Sequence, residues 1–371
     1  MSDLTQLLQA PGTTVESEDD CEAVNALMLE RGWSDGLPVV PPTAARVEAM
    51  LAYCDRPWDE AVAKIPPRYG EATPLRLAAN AVMAGCRPEY FPVIVAAVEA
   101  MCEAPFNCYG IQATTHPCAP LVIVNGPIAK ELGINAGHNA FGQGAQANAT
   151  IGRAIRLALV NIGGAIPGTG DMATQGGPHK YSYCVAENEE ASPWEPLHVE
   201  RGFPRESSTV TVIAAEAPHN INDHESLSAE GILKMTAGTM ATPGTNDNYL
   251  DGHPLLVFGP EHAATVAAGG YSKADVKKYL FEHATLPLGA FSDENIERRF
   301  RMRFPDRYGK AALDTRMPVV QRPENLIIAV VGGAGKHSAF IPTFGTTRSV
   351  TRALRRSDGE FAQSVKELRR A

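Results

Sequence analysis

The stretch TTHPCAPLVIVNGP, Thr114–Pro127, decides the fold class. Its centre, Leu121–Val124, is a short apolar run without polar alternation, the pattern of a strand covered on both faces. Asn-Gly-Pro ends the run, and helix-compatible sequence follows. A second run, LLVF at Leu255–Phe258, ends in Gly259-Pro260 and is again followed by helix-compatible sequence, which suits a duplicated strand-turn-helix unit.

Outward from these runs, Val210–Ala214 (VTVIA) and Leu326–Val331 (LIIAVV) read as further buried strands. Ala147–Ala165 and Ser272–Ala284 carry helical periodicity, the second with Ser272 as its N-cap. Strands alternating with helices predict an α/β fold, a mixed sheet with flanking helices. Upstream, Cys21–Trp33, Thr43–Cys54, Pro74–Cys86 and Phe91–Cys102 place apolar residues at helical spacing, and the joint SDGLPVVPPT, Ser34–Thr43, is held extended by its prolines. The expected division is a mostly helical N-terminal region, 1–105, and an α/β core, 106–371, that carries the site, with one continuous domain as the alternative.

With 371 residues, 44% of them apolar and 20% charged, the chain is long enough to bury a sizeable core, and its 33 Gly and 28 Pro mean many sharp connections. The net charge of -9 leaves basic residues scattered except for Arg352, Arg355, Arg356, Arg369 and Arg370, so nucleic acid is not an expected partner. No apolar run approaches the roughly 20 residues of a membrane span. The opening MSDLTQLLQAPG lacks the basic start and apolar centre of a secretory signal. A cytoplasmic protein without a membrane partner is expected. Seven cysteines with no C-x-x-C pair argue for reduced thiols rather than a disulfide framework.

Two glycine-rich loops test for nucleotide cofactors. Gly142, Gly144 and Ala147 form a G-x-G-x-x-A string, but it stands far behind the preceding strand and lacks the acidic residue that would bind a ribose. In VVGGAGKHSAF, Val330–Phe340, Lys336 follows Gly335 as in a phosphate loop, yet Val330 stands where the first glycine belongs and His337 where Ser or Thr belongs. NAD and ATP are therefore not expected. What the second loop offers is a cation and a histidine beside Gly333 and Gly335, where backbone can approach a ligand and negative charge can be neutralised.

Candidate chemistry collects elsewhere too. The loop-rich stretch Thr169–Phe203 gathers His179, Lys180, Cys184, Glu187 and His198, a mixture that suits a site. His116 and Cys118 flank Pro117, so in an extended segment their side chains leave the same face, the geometry of a histidine that activates a thiol. His116, lying before the strand rather than in it, is the better acid–base candidate. No H-E-x-x-H pair occurs, and HNINDHES, His219–Ser226, is a loose cluster.

Taken together, GWSDGLPVVPPT (Gly32–Thr43), QATTHPCAPLVIVNGP (Gln112–Pro127), ELGINAGHNAFG (Glu131–Gly142), YCVAENEEASPWEPLHVERGF (Tyr183–Phe203) and GGAGKHSAFIPTFG (Gly332–Gly345) resemble a bacterial protein group associated with the UGSC-type selenoproteins and thiol proteins. The similarity spans most of the chain. It carries no reaction over, and the chain has no U/C-G-S-C string of its own, so the resemblance implies a companion subunit or a separate domain type.

The expected function is that of an enzyme, a hydrolase or lyase, acting on a small polar or carboxylated molecule by acid–base or thiol-assisted chemistry. In this scheme His116 or His138 moves the proton, Glu187 orients it or acts as the base, and Lys336 and His337 with the glycine backbone hold negative charge. Cys184 and Cys118 are the candidate nucleophiles, and Asp35, Thr115, Asn139, Gly333 and Gly335 the expected substrate contacts. One alternative adds a metal ion held by histidines and carboxylates of the same loops. The other makes the chain a non-catalytic companion of a thiol or selenocysteine enzyme. A homo-oligomer is expected, with apolar N-terminal helices available for its interface.

Overall fold

A computed structural model describes residues 14–18 and 20–370, which leaves the stretch read for a secretory signal, 1–12, outside the described residues. In chain order its principal elements are α1 (Cys21–Glu30), α2 (Ala44–Leu51), β1 (Ala63–Ile65), β2 (Gly70–Ala72), α3 (Pro74–Ala84), α4 (Phe91–Met101), α5 (Cys108–Ala113), β3 (Ala119–Asn125), α6 (Pro127–Glu131), α7 (Gln146–Asn161), β4 (Cys184–Ala186), α8 (Leu197–Glu200), β5 (Thr209–Ala215), β6 (His219–Asn222), α9 (Ala229–Met240), β7 (Leu255–Phe258), α10 (Pro260–Ala268), α11 (Lys273–His283), β8 (Thr285–Pro287), α12 (Pro305–Tyr308), β9 (Arg316–Pro318), β10 (Ile327–Val330), β11 (His337–Ile341) and β12 (Val350–Ala353). Helices and mixed sheets make this an α/β protein, as the alternation predicts. Local chemistry sets several of the boundaries. Thr73 accepts from Arg76 N with Pro74 at the first position of α3, which closes on left-handed Gly85. Ser272 and Asp275 form a reciprocal capping box at the start of α11.

The chain divides into two compact units. Of the described residues, the first takes those up to 186, 198–213 and those from 349 on; the second takes 187–197 and 214–348. The division does not fall at residue 105 as expected, because α3 and α4 share a unit with β3. The cause is legible in α4, where FPVIVAAVEAM buries every residue but Glu99 and so has to be covered nearly all round. Among the described residues no single helix is long and apolar enough to cross a membrane. Only the pair Pro88–Met101 and Ala104–Ala113, bent by 74° at its break, meets that length and composition together.

In the first unit the sheet runs β12-β5-β3-β4, with β3 parallel to β4 and β12 antiparallel to β5. Both β3 and β5 are buried along all seven residues. In the second unit the order is β10-β7-β11-β6, with β10 parallel to β7 and β11 antiparallel to both its neighbours. Its core joins Phe258 and Phe340 from the sheet to Leu233 of α9 and Leu280 of α11. A separate aromatic cluster forms around Phe291, Phe300 and Tyr308.

One frame occurs in both units. In the first, β3 passes through Gly126-Pro127 into α6, a parallel strand lies on one side of β3, and β5 lies on the other. In the second, β7 passes through Gly259-Pro260 into α10, β10 lies parallel on one side, and β11 lies on the other. The likeness reaches single atoms. A Cβ at Gly126 would fall 2.2 Å from the Ser207 carbonyl oxygen, and one at Gly259 would fall 2.1 Å from the His337 carbonyl oxygen. The residue after each carbonyl is a serine that receives the helix start: Ile128 N donates to Ser208 Oγ at 3.0 Å, and Gly259 N to Ser338 Oγ at 3.1 Å. The fourth strands are exchanged along the chain. From β5 the chain enters β6, the fourth strand of the second sheet, and from β11 it enters β12, the fourth strand of the first.

Candidate functional site

In the first unit a cavity of about 350 Å3 is lined by Asp35, Arg156, Asp171, the Gly176-Gly177 backbone, Lys180 and Tyr181, among others. Helix α7 is apolar along its buried side except for Asn148 and Arg156, and Arg156 stands three residues after Arg153, so the two guanidinium groups leave neighbouring positions of one face. Arg153 grips Asp35 with two bonds of 2.8 Å and also donates to Leu37 O at 3.1 Å, fixing the Ser34–Gly36 turn at the cavity. Arg156 Nε donates to Lys180 O at 2.7 Å, and its Nη1 lies 3.4 Å from both Asp171 Oδ2 and Gln112 Oε1. Lys180 Nζ donates to Asp171 Oδ1 at 2.7 Å. Asp171 also receives Ala173 N at 3.2 Å.

Two cations thus share one carboxylate. The side chains of Arg156 and Asp171 are 9% exposed and that of Lys180 is 13% exposed, so the surplus positive charge sits where water solvates it poorly. Burial lowers the Lys180 pKa below the usual lysine value, and the Arg156 charge adds to this against the pull of Asp171. Burial lowers Arg156 likewise, with Asp171 opposing. Such a wall suits an anion and places an amine of reduced basicity beside it.

The sequence-predicted residues divide between the units. Asp35 lines the cavity, and the Thr115 carbonyl accepts from Thr174 N at 2.9 Å and from Thr174 Oγ1 at 3.1 Å, tying down the strand of backbone that forms the cavity wall at Ala173 and Gln175. The segment of His116 and Cys118 does not follow the expected extended path. Cys118 N donates to His116 O at 2.9 Å, so the segment bends where it was expected to be extended, and Cys118 ends 1% exposed while His116 stays half-buried. Cys184 is also a correction. It is buried, and that burial pushes its thiol well above the ordinary value, the reverse of what a nucleophile needs. His138 and Asn139 are exposed on a turn, where Asn139, at φ 56°, donates from Nδ2 to Gln143 O at 2.8 Å and Asn135 Nδ2 donates to the His138 carbonyl at 2.9 Å. Their place is that of turn-formers, not cavity wall.

Glu187, Gly333, Gly335, Lys336 and His337 belong to the second unit. Glu187 was expected to orient the proton-moving histidine or to act as base, but it is 4% exposed and accepts from Leu197 N at 2.7 Å, with Lys273 Nζ at 3.9 Å, so it anchors the 187–197 segment within its own unit. Trp194 of that segment donates from Nε1 to Tyr271 O at 2.8 Å and lays its ring on Phe258. The glycine loop lies beyond the C-terminal ends of the parallel strands β7 and β10, the usual ligand edge of such sheets. There Asn188 N donates to Val330 O at 2.7 Å, and Gly335 N to Glu261 Oε1 at 2.7 Å. Lys336 Nζ donates to His224 O at 2.8 Å, and His337 and His224 meet through their Nε2 atoms at 3.2 Å. Among the described residues no group of three or more His, Cys, Asp or Glu is placed to hold a metal.

Arg153, Arg156 and Asp171 were missed by the reading of the sequence, and Lys180 was noticed only as part of a crowded segment. One signal was available. RAIR, Arg153–Arg156, interrupts an otherwise apolar helical face with two guanidinium groups at a three-residue interval. The partner Asp171 gives no such sign, since only the fold brings it to Arg156. A larger cavity, about 660 Å3, carries the C-terminal arginines, but its charge is open to water: Arg56 pairs with Glu99, Arg352 with Glu99 and Glu103, and Arg356 with Asp358 and Glu367, all on arginines at least 38% exposed, and Arg355, Arg369 and Arg370 are exposed too. The smaller cavity is the better candidate because its buried charge is unbalanced. No family model matches the chain, and neither a curated protein nor a solved structure matches it.

Proposed function

We propose that the chain is an enzyme that binds a small carboxylated molecule in the 350 Å3 cavity of its first unit and moves a proton on it, the chemistry of a lyase or hydrolase without a thiol nucleophile. The observation that carries this reading is the pair of buried cations, Arg156 and Lys180, on the single carboxylate of Asp171. A substrate carboxylate completes the charge balance while Lys180 is protonated, and loss of that proton then leaves the amine free to act as base. Arg156, held at Nε by the Lys180 carbonyl, supplies the fixed positive charge, and the Asp35 turn, clamped by Arg153, closes one side. Lys180 is the acid–base group: its neutral amine is reached at lower pH than that of an exposed lysine, and Asp171 holds it in place.

The test follows proton exchange rather than any one product. Wild-type protein is incubated in deuterated buffer with a panel of 2-hydroxy, 2-oxo and β-substituted carboxylates, and loss of the carbon-bound proton signal is followed by NMR. At least one member should exchange or eliminate, and Lys180→Met should slow it by about 10^2–10^4-fold, the range of a lost general base. Lys180→Met turning over that member at the wild-type rate would remove Lys180 from the chemistry.

A further inference from the structure

The two histidines at the edge of the second sheet fall outside that reading. His337 opens β11 and pairs with Asn222 of β6 in the antiparallel ladder; His224 follows the end of β6 by two residues. The ladder therefore brings both imidazoles to one strand end. Their Nε2 atoms lie 3.2 Å apart, with ring planes at 78°. Two imidazoles on one tetrahedral metal, each bond about 2.0–2.1 Å, have nitrogens about 3.3–3.4 Å apart, so the free protein already holds the required bite.

The surrounding groups point the same way. His337 Nδ1 meets the Asn220 amide oxygen at 3.0 Å; the oxygen accepts, so the ring proton sits on Nδ1 and the Nε2 lone pair faces His224. Of the nearby charged groups, Lys336 Nζ donates to the His224 carbonyl, Glu261 accepts from Gly335 N, and Asp223 accepts from Ser226 N through Oδ1. Both imidazoles are exposed. The repeated frame shows that His337 is not needed for packing. In the first unit the same position, beside the glycine of the strand-Gly-Pro turn, is Ser207, while the helix-receiving serine is common to both units.

We propose that His224 and His337 form a two-imidazole chelate for Zn2+, with solvent on the remaining positions. Binding requires the His224 proton to move from Nε2 to Nδ1 through solvent, after which both Nε2 lone pairs face the ion and the pair stays neutral. Asn220 is a positioning residue that holds the His337 ring.

The test is calorimetric titration of the untagged full chain with Zn2+, alongside the visible spectrum with Co2+ as a stand-in that reports tetrahedral nitrogen ligation. The expected result is one Zn2+ per chain, weakened at least tenfold by His224→Ala and by His337→Ala, and about tenfold by Asn220→Ala. His224→Gln serves as a second variant that keeps an amide in place of the ring, and metal-free thermal melts confirm that each variant folds. Absence of Zn2+ binding in the wild type overturns the proposal, as does wild-type affinity in His224→Gln or in the double alanine variant. None of these readouts depends on turnover, so they stand apart from the fate of the Lys180 cavity.

Discussion

Lys180 and Arg156 face Asp171 as two positive charges on one negative, and this imbalance has consequences for stability as well as for binding. Asp171→Asn leaves both cations without a carboxylate and should cost about 3–5 kcal/mol, read from chemical denaturation. Lys180→Met leaves a balanced Arg156–Asp171 pair and should fold normally, so the two variants separate charge imbalance from loss of packing. As a base, Lys180 should give a rate that rises with pH through a pKa below the usual lysine value, since burial lowers it. Asp247 in the second unit titrates in the opposite sense. Burial raises it to about 8 despite two bonds of 3.0 Å from Thr343, so the folded state holds a proton that the unfolded state releases near pH 4. Its contribution to stability is full below about pH 4 and is lost as pH rises toward 8. Asp247→Asn should flatten that part of the stability curve, measured by denaturation between pH 4 and pH 8; an unchanged slope would exclude Asp247 as its source.

At the scale of elements, the strand-Gly-Pro-helix turn is the most closely specified part of the chain. A Cβ at Gly259 would stand 2.1 Å from the His337 carbonyl, and at Gly126 2.2 Å from that of Ser207, where φ is also 87°. Gly126→Ala and Gly259→Ala should each destabilise by about 3 kcal/mol or more, measured by thermal melts, because backbone rather than a flexible side chain has to yield. Ser338→Ala should cost about 1–3 kcal/mol, since the buried His262 Nδ1, 2.8 Å from Ser338 Oγ, loses its partner. These turns were legible in sequence: LVIV and LLVF with Gly-Pro after them appear as β3 and β7, and Ser272 caps α11 as its type suggests. The candidate site was legible only in part. Asp35 was named among the substrate contacts, whereas Asp171 and Arg156 meet through long-range folding that leaves no local period. The bend at His116–Cys118, where an extended path was expected, was not legible, because the i,i+2 hydrogen bond that makes it has no mark in the sequence.

For the whole molecule, the return of β12 to the first sheet and the membership of 187–197 in the second unit mean that neither unit is a contiguous piece of sequence. A chain ending at Arg348 lacks β12, which leaves β5 a bare edge and removes the Arg352 pairs to Glu99 and Glu103 within the first unit. It should lose solubility or melt at lower temperature. The stretch 214–348 expressed alone lacks Trp194, which covers Phe258, and Glu187, so it should fold less stably than the same stretch supplied with 187–197. This interleaving also explains why the helical region ending at residue 105 does not stand as a unit of its own: it is continuous in sequence, yet its apolar faces belong to a core that the chain completes only after residue 349.

The central claim, that buried surplus cations make the cavity a carboxylate site, is tested most directly by calorimetric titration of malonate into wild-type protein and Lys180→Met at low ionic strength. One site per wild-type chain, at least tenfold weaker in Lys180→Met and weakened further by salt, is the predicted result. Equal affinity in the two proteins, or no binding by the wild type, would contradict it.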